Sequence, residues 1–324
     1  MPPFDPEVGA VLAAAGARAR EVLTPEGLAA WQERDRAARP RPTLDRLRDG
    51  GRFEVAELAV PRPDGGGDVT LVSARPAGVG GVGGPLPLLY YLHGGGMVTG
   101  NAWSVLPRLL RGWALPLGLA VVSVEYRLAP GTRFPGAVED CYAGLVRVAE
   151  RAGELGVDAD RVVIAGKSAG GGLAAALALL ARDRGGPVPV GQLLLSPMLD
   201  DRGDTYSSHQ MAGHDTWDRA SNATAWQAVL GDRYGAADLS PYAAPARATD
   251  LSRLPAAYLD VGSAETFRDE VLAYADGIWR AGGEAELHVW SGACHGFDTI
   301  APEAAVARDA DEARTRWLRR VLRR

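Results

Sequence analysis

From Leu86 onward, short apolar runs alternate with helical stretches, and few architectures accommodate that pattern. The runs LPLLYYL (86–92), LAVVSVEY (119–126), RVVIAG (161–166), GQLLLS (191–196), PAAYLDVG (255–262) and AELHVW (285–290) are mostly apolar along their length. Strands without a solvent face need cover on both sides of their sheet. Helical stretches near 104–115, 137–153, 169–183, 269–281 and 302–322 supply that cover. Strands spaced by helices of this length predict an α/β fold with a mostly parallel central sheet flanked by helices. Two further runs precede them, FEVAELAV (53–60) and DVTLVSAR (68–75), joined by the turn-rich PRPDGGG. So short a link allows only antiparallel pairing, which predicts an antiparallel edge.

Two segments stand outside the alternation. In residues 1–50, Val8, Val11, Leu12 and Ala15 recur at helical spacing, and Thr24-Pro25-Glu26 is a helix start ahead of Leu28 and Trp31. The arginine- and proline-rich stretch from Arg34 to Pro42 reads as an exposed connection. Between Pro197 and Pro255 there is no convincing strand, and long insertions inside a domain are usually functional. The expected organisation is an N-terminal helical cap segment at 1–50, a catalytic core at 51–199 and 255–324, and a cap insertion at 200–254.

Composition excludes several classes of function. A net charge of −5 without clustered basic residues leaves no footprint for nucleic acid. Two cysteines, Cys141 and Cys294, in 324 residues read as reduced thiols, and no Cys/His cluster suggests a metal site. The longest apolar run, Leu173 to Ala181, is too short for a membrane span, and the N-terminus lacks the pattern of a secretory signal. A cytoplasmic protein without a metal site is the expectation.

Two glycine-rich sequences carry the chemistry. Gly166-Lys167-Ser168-Ala169-Gly170 lies between the strand RVVIA and the helix that follows. A serine on such a tight turn is held in strained geometry above the strand ends, and small flanking residues avoid clashes across the turn. His93-Gly94-Gly95-Gly96 follows the strand LLYYL. Its consecutive glycines let backbone N–H groups approach an oxyanion, with His93 structural rather than catalytic. The base should sit on a loop after a late strand, where His295 follows AELHVW; the acid should sit on the loop before it, where Glu265 follows PAAYLDV. Asp269, expected within a helix, and Asp260, within a strand, are the alternative acids. His209, His214 and His288 are weaker candidates for the base. The order Ser168, Glu265, His295 is the α/β-hydrolase order.

With these motifs in place the sequence resembles the hormone-sensitive lipase family of α/β hydrolases, represented by bacterial carboxylesterases. The likeness rests on HGGG at 93–96, Glu125-Tyr126-Arg127-Leu128-Ala129-Pro130, GKSAGGG at 166–172, FRDE at 267–270 and HGF at 295–297. It implies the α/β-hydrolase fold and hydrolysis of short- to medium-chain carboxylic esters without a cofactor, often by a homodimer. It also implies an oxyanion hole from the N–H groups of Gly94, Gly95 and Ala169. A small-molecule ester is then the partner. An acyltransferase, a lactone or amide hydrolase, or a non-catalytic small-molecule binding protein are the alternatives on the same scaffold. The family's acid is usually Asp, and Glu265 is one methylene longer.

Lys167 is the only lysine in the chain and replaces the family's usual Asp, Glu or Thr. It either places a cation beside the acyl pocket, favouring anionic substrates, or faces away and ties down a neighbouring loop. Met97, Trp103 and Trp217 are expected pocket residues, with Trp226 and Met211 as further apolar candidates.

Overall fold

The strands are β1 (Phe53–Pro61), β2 (Asp68–Pro76), β3 (Leu86–Leu92), β4 (Ala120–Glu125), β5 (Val157–Lys167), β6 (Gly191–Leu195), β7 (Ala256–Gly262) and β8 (Ala285–Trp290). In the computed structural model, which describes residues 1–16, 21–78 and 84–323, they form one sheet in the order β1-β2-β4-β3-β5-β6-β7-β8. β1 pairs with β2 and β2 with β4 in antiparallel fashion. Every later pairing is parallel. The expected α/β sheet and its antiparallel edge are both present.

Because β3 sits between β4 and β5, the chain crosses over at the sheet centre, and Leu92 lies opposite Gly166 at the ends of β3 and β5. The loops leaving these two strands are therefore neighbours, at the kind of crevice where open α/β sheets bind ligands. At the same end of the sheet, Gly262 of β7 lies opposite Trp290 of β8, so the loops after β7 and β8 also start side by side.

Side-chain alternation divides the core between the two faces. Leu88, Tyr90 and Leu92 of β3 face one cluster, whereas Leu89 and Tyr91 face another. The first face is covered by helices at Gly136–Glu150, Ala169–Arg184 and Arg268–Arg280. The second is covered by the helical stretch at 106–117 and by Ala305–Val321, which contributes Trp317 and Leu318. The Ala169–Arg184 helix is buried from Ala169 to Ala181 on every side, as its lack of a polar stripe requires.

The N-terminal residues do not pack as one body. In the helix Pro6–Ala15, Val8 and Leu12 join Ala293, Cys294, Phe297 and Ala301 beneath the loop after β8. Leu23 exchanges bonds with the helix Arg219–Leu230: its N–H donates to Ser221 Oγ at 3.0 Å and its carbonyl accepts from Thr224 Oγ1 at 3.0 Å. The short helix Leu44–Arg48 lies on the opposite face, with Leu47 in the cluster of Phe53 and Leu110.

One expectation is corrected. The exposed connection begins later than Arg34, because a helix runs over Leu28–Ala38. The side chain of Asp35 is buried there and accepts from the N–H of Gly100 at 3.1 Å. A charged residue anchored from a distant loop has no local apolar signal.

The insertion between Pro197 and Pro255 holds no strand among its residues, only the helices Tyr206–Gln210 and Arg219–Leu230 and shorter turns. Cys141 and Cys294 are both buried and unpaired. No helix among the described residues is long and apolar enough to cross a membrane.

Candidate active site

Ser168 occupies the turn between β5 and the helix Ala169–Arg184 with φ 58° and ψ −123°, a strained conformation for a residue with a side chain. The turn is fixed by its main chain. The N–H of Ser168 donates to Leu195 O at 2.8 Å, and its carbonyl accepts from Gly172 and Met198 at 3.0 Å each. The flanking glycines are steric requirements. A Cβ on Gly166 would lie 2.1 Å from the carbonyl oxygen of Gly170, and one on Gly170 would lie 2.0 Å from that of Leu92. The small residues anticipated around the serine are thus what lets the helix begin directly against the end of β3.

The 93–96 loop rests against this turn. A Cβ on Gly94 would approach Lys167 O to 2.8 Å. Gly95 adopts φ 122°, a region open to glycine, and its carbonyl accepts from the N–H groups of Val98 and Thr99 at 3.0 and 2.9 Å and from Thr99 Oγ1 at 3.2 Å. With that carbonyl held away, the N–H groups of Gly94 and Gly95 have no acceptor among the described residues. Ala169 is the first residue of its helix, so its N–H lacks an intrahelical acceptor as well. His93 lies behind the loop. Burial pushes its imidazole down to about 4, which keeps the ring neutral, and Tyr126 stacks on it at 4.1 Å while donating its hydroxyl to His93 O at 2.6 Å.

Glu265 and His295 arrive from the loops after β7 and β8. His295 Nε2 lies 3.0 Å from Ser168 Oγ, and Nδ1 lies 2.7 Å from Glu265 Oε1. A carboxylate can only accept, so Nδ1 carries the proton toward Glu265 and Nε2 is free to accept from the serine hydroxyl. Glu265 is fully buried, and its second oxygen accepts from Gly262 N–H at 2.8 Å and Ser196 Oγ at 3.0 Å. Phe267 sets its ring edge-on to His295 at 5.1 Å. The alternative acids stand elsewhere: Asp260 pairs with Arg314, and Asp269 accepts from the N–H of Ser207. Ser196, which donates to Glu265, ends an apolar run, and nothing local in the sequence marks it.

The pocket residues divide. Met97 and Leu173 line a narrow, mainly apolar pocket with Phe134, Val138, Val229 and Tyr242. The Trp217 ring lies against Gly96, where an added Cβ would come within 2.7 Å of it. Trp226 and Met211 are buried, Trp226 in the main core cluster. Trp103 is a correction. Its indole N–H donates to Glu57 at 2.8 Å, Arg41 stacks on it at 3.7 Å, and it packs with Leu106 on the other face of the sheet. After the 93–96 loop the chain turns away into the helical stretch that follows, which leaves Trp103 on that other face.

Lys167 is likewise corrected as a substrate-binding residue. Its ammonium pairs with Asp298 and donates to Thr299 Oγ1 at 2.7 Å, both just beyond His295. Asp298 also accepts from Arg314 at 2.6 Å and Arg108 at 3.1 Å. Burial alone raises the pKa of Asp298, but these three cations hold it well below the usual carboxylate range. A cation neutralised in this way ties a loop down and presents no free charge to a ligand.

Residues 89–299 match the family model described as the alpha/beta hydrolase fold. The chain belongs to that family. Within it the sequence is of the hormone-sensitive lipase-like type. It is 36% identical over 239 residues to the carboxylesterase NlhH of Mycobacterium tuberculosis, covering 73% of this chain and 74% of that protein. The esterase LipI of the same organism is 36% identical over 241 residues, 73% of each chain. Among solved structures, a bacterial heroin esterase superposes with a TM-score of 0.86 at 36% identity, covering 99% of this chain and 98% of the other.

Proposed function

We propose that the chain is a serine carboxylesterase that cleaves short- to medium-chain esters through an acyl-enzyme on Ser168. The observation that carries this reading is the hydrogen-bonded relay from Ser168 Oγ through both nitrogens of His295 to the buried Glu265. The names of the relatives, carboxylesterase and esterase, support the same class of reaction.

His295 Nε2 takes the hydroxyl proton as Ser168 attacks the ester carbonyl, and Glu265 stabilises the imidazolium that forms. The carbonyl oxygen becomes an oxyanion, for which the N–H groups of Gly94, Gly95 and Ala169 are the available donors; each such donor is worth about 3–4 kcal/mol in a transition state. His295 then returns its proton to the leaving alcohol, and water attacks the acyl-enzyme by the same route in reverse. The preference for short to medium acyl chains is the one that the family resemblance implies. Residues 200–254, joined by the segment around Leu23, form the cap in this reading, while Leu44–Arg48 packs on the other face of the sheet.

Ser168→Ala tests the assignment. Ester hydrolysis should fall by about 10⁶ in kcat, and labelling by a fluorophosphonate should disappear. Retained activity in a folded Ser168→Ala protein rejects the mechanism. Activity of the wild type on a panel of esters with lengthening acyl groups reads out the pocket.

A further inference from the structure

Asp215 belongs to the insertion and takes no part in the chemistry above, yet its carboxylate lies at the junction of the loops that carry the acid and the base. It is 2% exposed. Oδ1 accepts from the N–H of His295 at 2.9 Å and from that of Thr216 at 2.8 Å, and Oδ2 accepts from the N–H of Thr266 at 2.8 Å. A single side chain therefore ties His295 to the residue next to Glu265. Its neighbours extend the connection. Thr216 Oγ1 donates to His295 O at 2.6 Å, Thr266 Oγ1 donates to Trp217 O at 2.8 Å, and the Trp217 ring covers Gly96. Three consecutive residues thus touch the acid loop, the base loop and the glycine loop.

The position is an unfavourable one for a carboxylate. Burial, with the negative charge of Glu265 added to it, pushes Asp215 up to about 6, while His295 acts in the opposite sense. The ionisable groups packed around it are Glu265, His295 and the buried thiol of Cys294; on its own segment His214 is exposed and Asp218 caps the following helix. The interactions that offset this burial are the N–H bonds and attraction to positive charge on His295, which is the charge that develops as the serine is deprotonated.

We propose that Asp215 is a positioning residue for ester hydrolysis, holding the Glu265 and His295 loops at one spacing and adding its negative charge to that of Glu265 around the imidazolium. The proposal rests on the assignment of Ser168, Glu265 and His295 as the triad. It also gives the insertion a second task, because residues 215–217 hold the loops that carry Glu265 and His295.

Asp215→Asn keeps the shape of the side chain, removes its charge and replaces one acceptor by an NH₂ group that faces a backbone N–H. With a nitrophenyl ester assayed across pH, kcat should fall by about 10- to 100-fold, the cost of a small misplacement of the base. KM should stay within about threefold, since substrate contacts are intact. The acid limb of kcat/KM should move to lower pH, because the imidazolium loses a neighbouring anion. A wild-type kcat with an unmoved limb overturns the proposal, and a lowered kcat with an unmoved limb rejects its charge component. If Asp215→Asn does not fold, Thr216→Val is decisive: it deletes the bond to His295 O together with the longer 3.4 Å bond to Asp215 Oδ1 and should lower kcat several-fold, and a wild-type kcat there overturns the strap. Ser168→Ala measured alongside separates the two readings, since activity in that variant condemns the triad rather than Asp215.

Discussion

The two halves of the site are held by different kinds of force. On the Ser168 side the restraints are main chain against main chain: a serine at φ 58°, a glycine at φ 122°, and a helix that starts so close to β3 that a Cβ on Gly170 would lie 2.0 Å from Leu92 O. On the His295 side the restraints are side chains from distant segments, including Ser196 and Asp215 on the acid and base loops and Lys167 with Arg314 on Asp298. Backbone sterics rise steeply and admit no compromise. Hydrogen bonds and ion pairs are shared among partners, so each can be lost at a partial cost. The comparison predicts that the nucleophile half is brittle and the acid–base half is graded.

Gly170→Ala should have the largest effect on folding. Its methyl group meets the carbonyl oxygens of Leu92 and His93, which cannot move without disturbing the central strand. A loss of about 4 kcal/mol or more in denaturant unfolding, or failure to fold, is expected. A loss under about 1 kcal/mol would show that the nucleophile half is not rigid. Glu265→Gln probes the other half. The amide can present its NH₂ to Nδ1, which disfavours the required tautomer, and kcat should fall by about 10³- to 10⁴-fold while thermal unfolding changes little. A kcat within tenfold of wild type would mean that the carboxylate does not serve His295. Lys167→Thr should be the mildest. Asp298 keeps Arg314 and Arg108, so a stability loss of about 1–2 kcal/mol is expected, with only a few-fold change in kcat. The ratio of kcat/KM between neutral and carboxylate-bearing esters should not change, and a changed ratio would return Lys167 to the substrate.

The same division explains what was legible in the sequence. The strands were readable because a sheet buried on both faces demands continuous apolar runs, as in LLYYL and VVIAG. Ser168 and the 93–96 loop were readable because their glycines are consequences of local steric limits. Glu265 and His295 were readable from their order along the chain and their place after strands. Trp103 and the start of the Arg34–Pro42 stretch, where Asp35 is buried, depart from expectation for a common reason. Their partners, Glu57 and Arg41 for the one and Gly100 for Asp35 in the other, are chosen by the chain path and leave no mark in neighbouring residues.

Local physics acting on the sequence alone settled the sheet, its antiparallel edge, the strained serine turn and the glycine loop, since each depends on patterning or sterics within a few residues. Only the tertiary structure decided that Lys167 faces Asp298, that Ser196 holds the acid, and that Asp215 joins two loops from an insertion with no motif of its own. Polar contacts over such separations depend on where the backbone brings each donor and acceptor, and side-chain type carries no address for its partner.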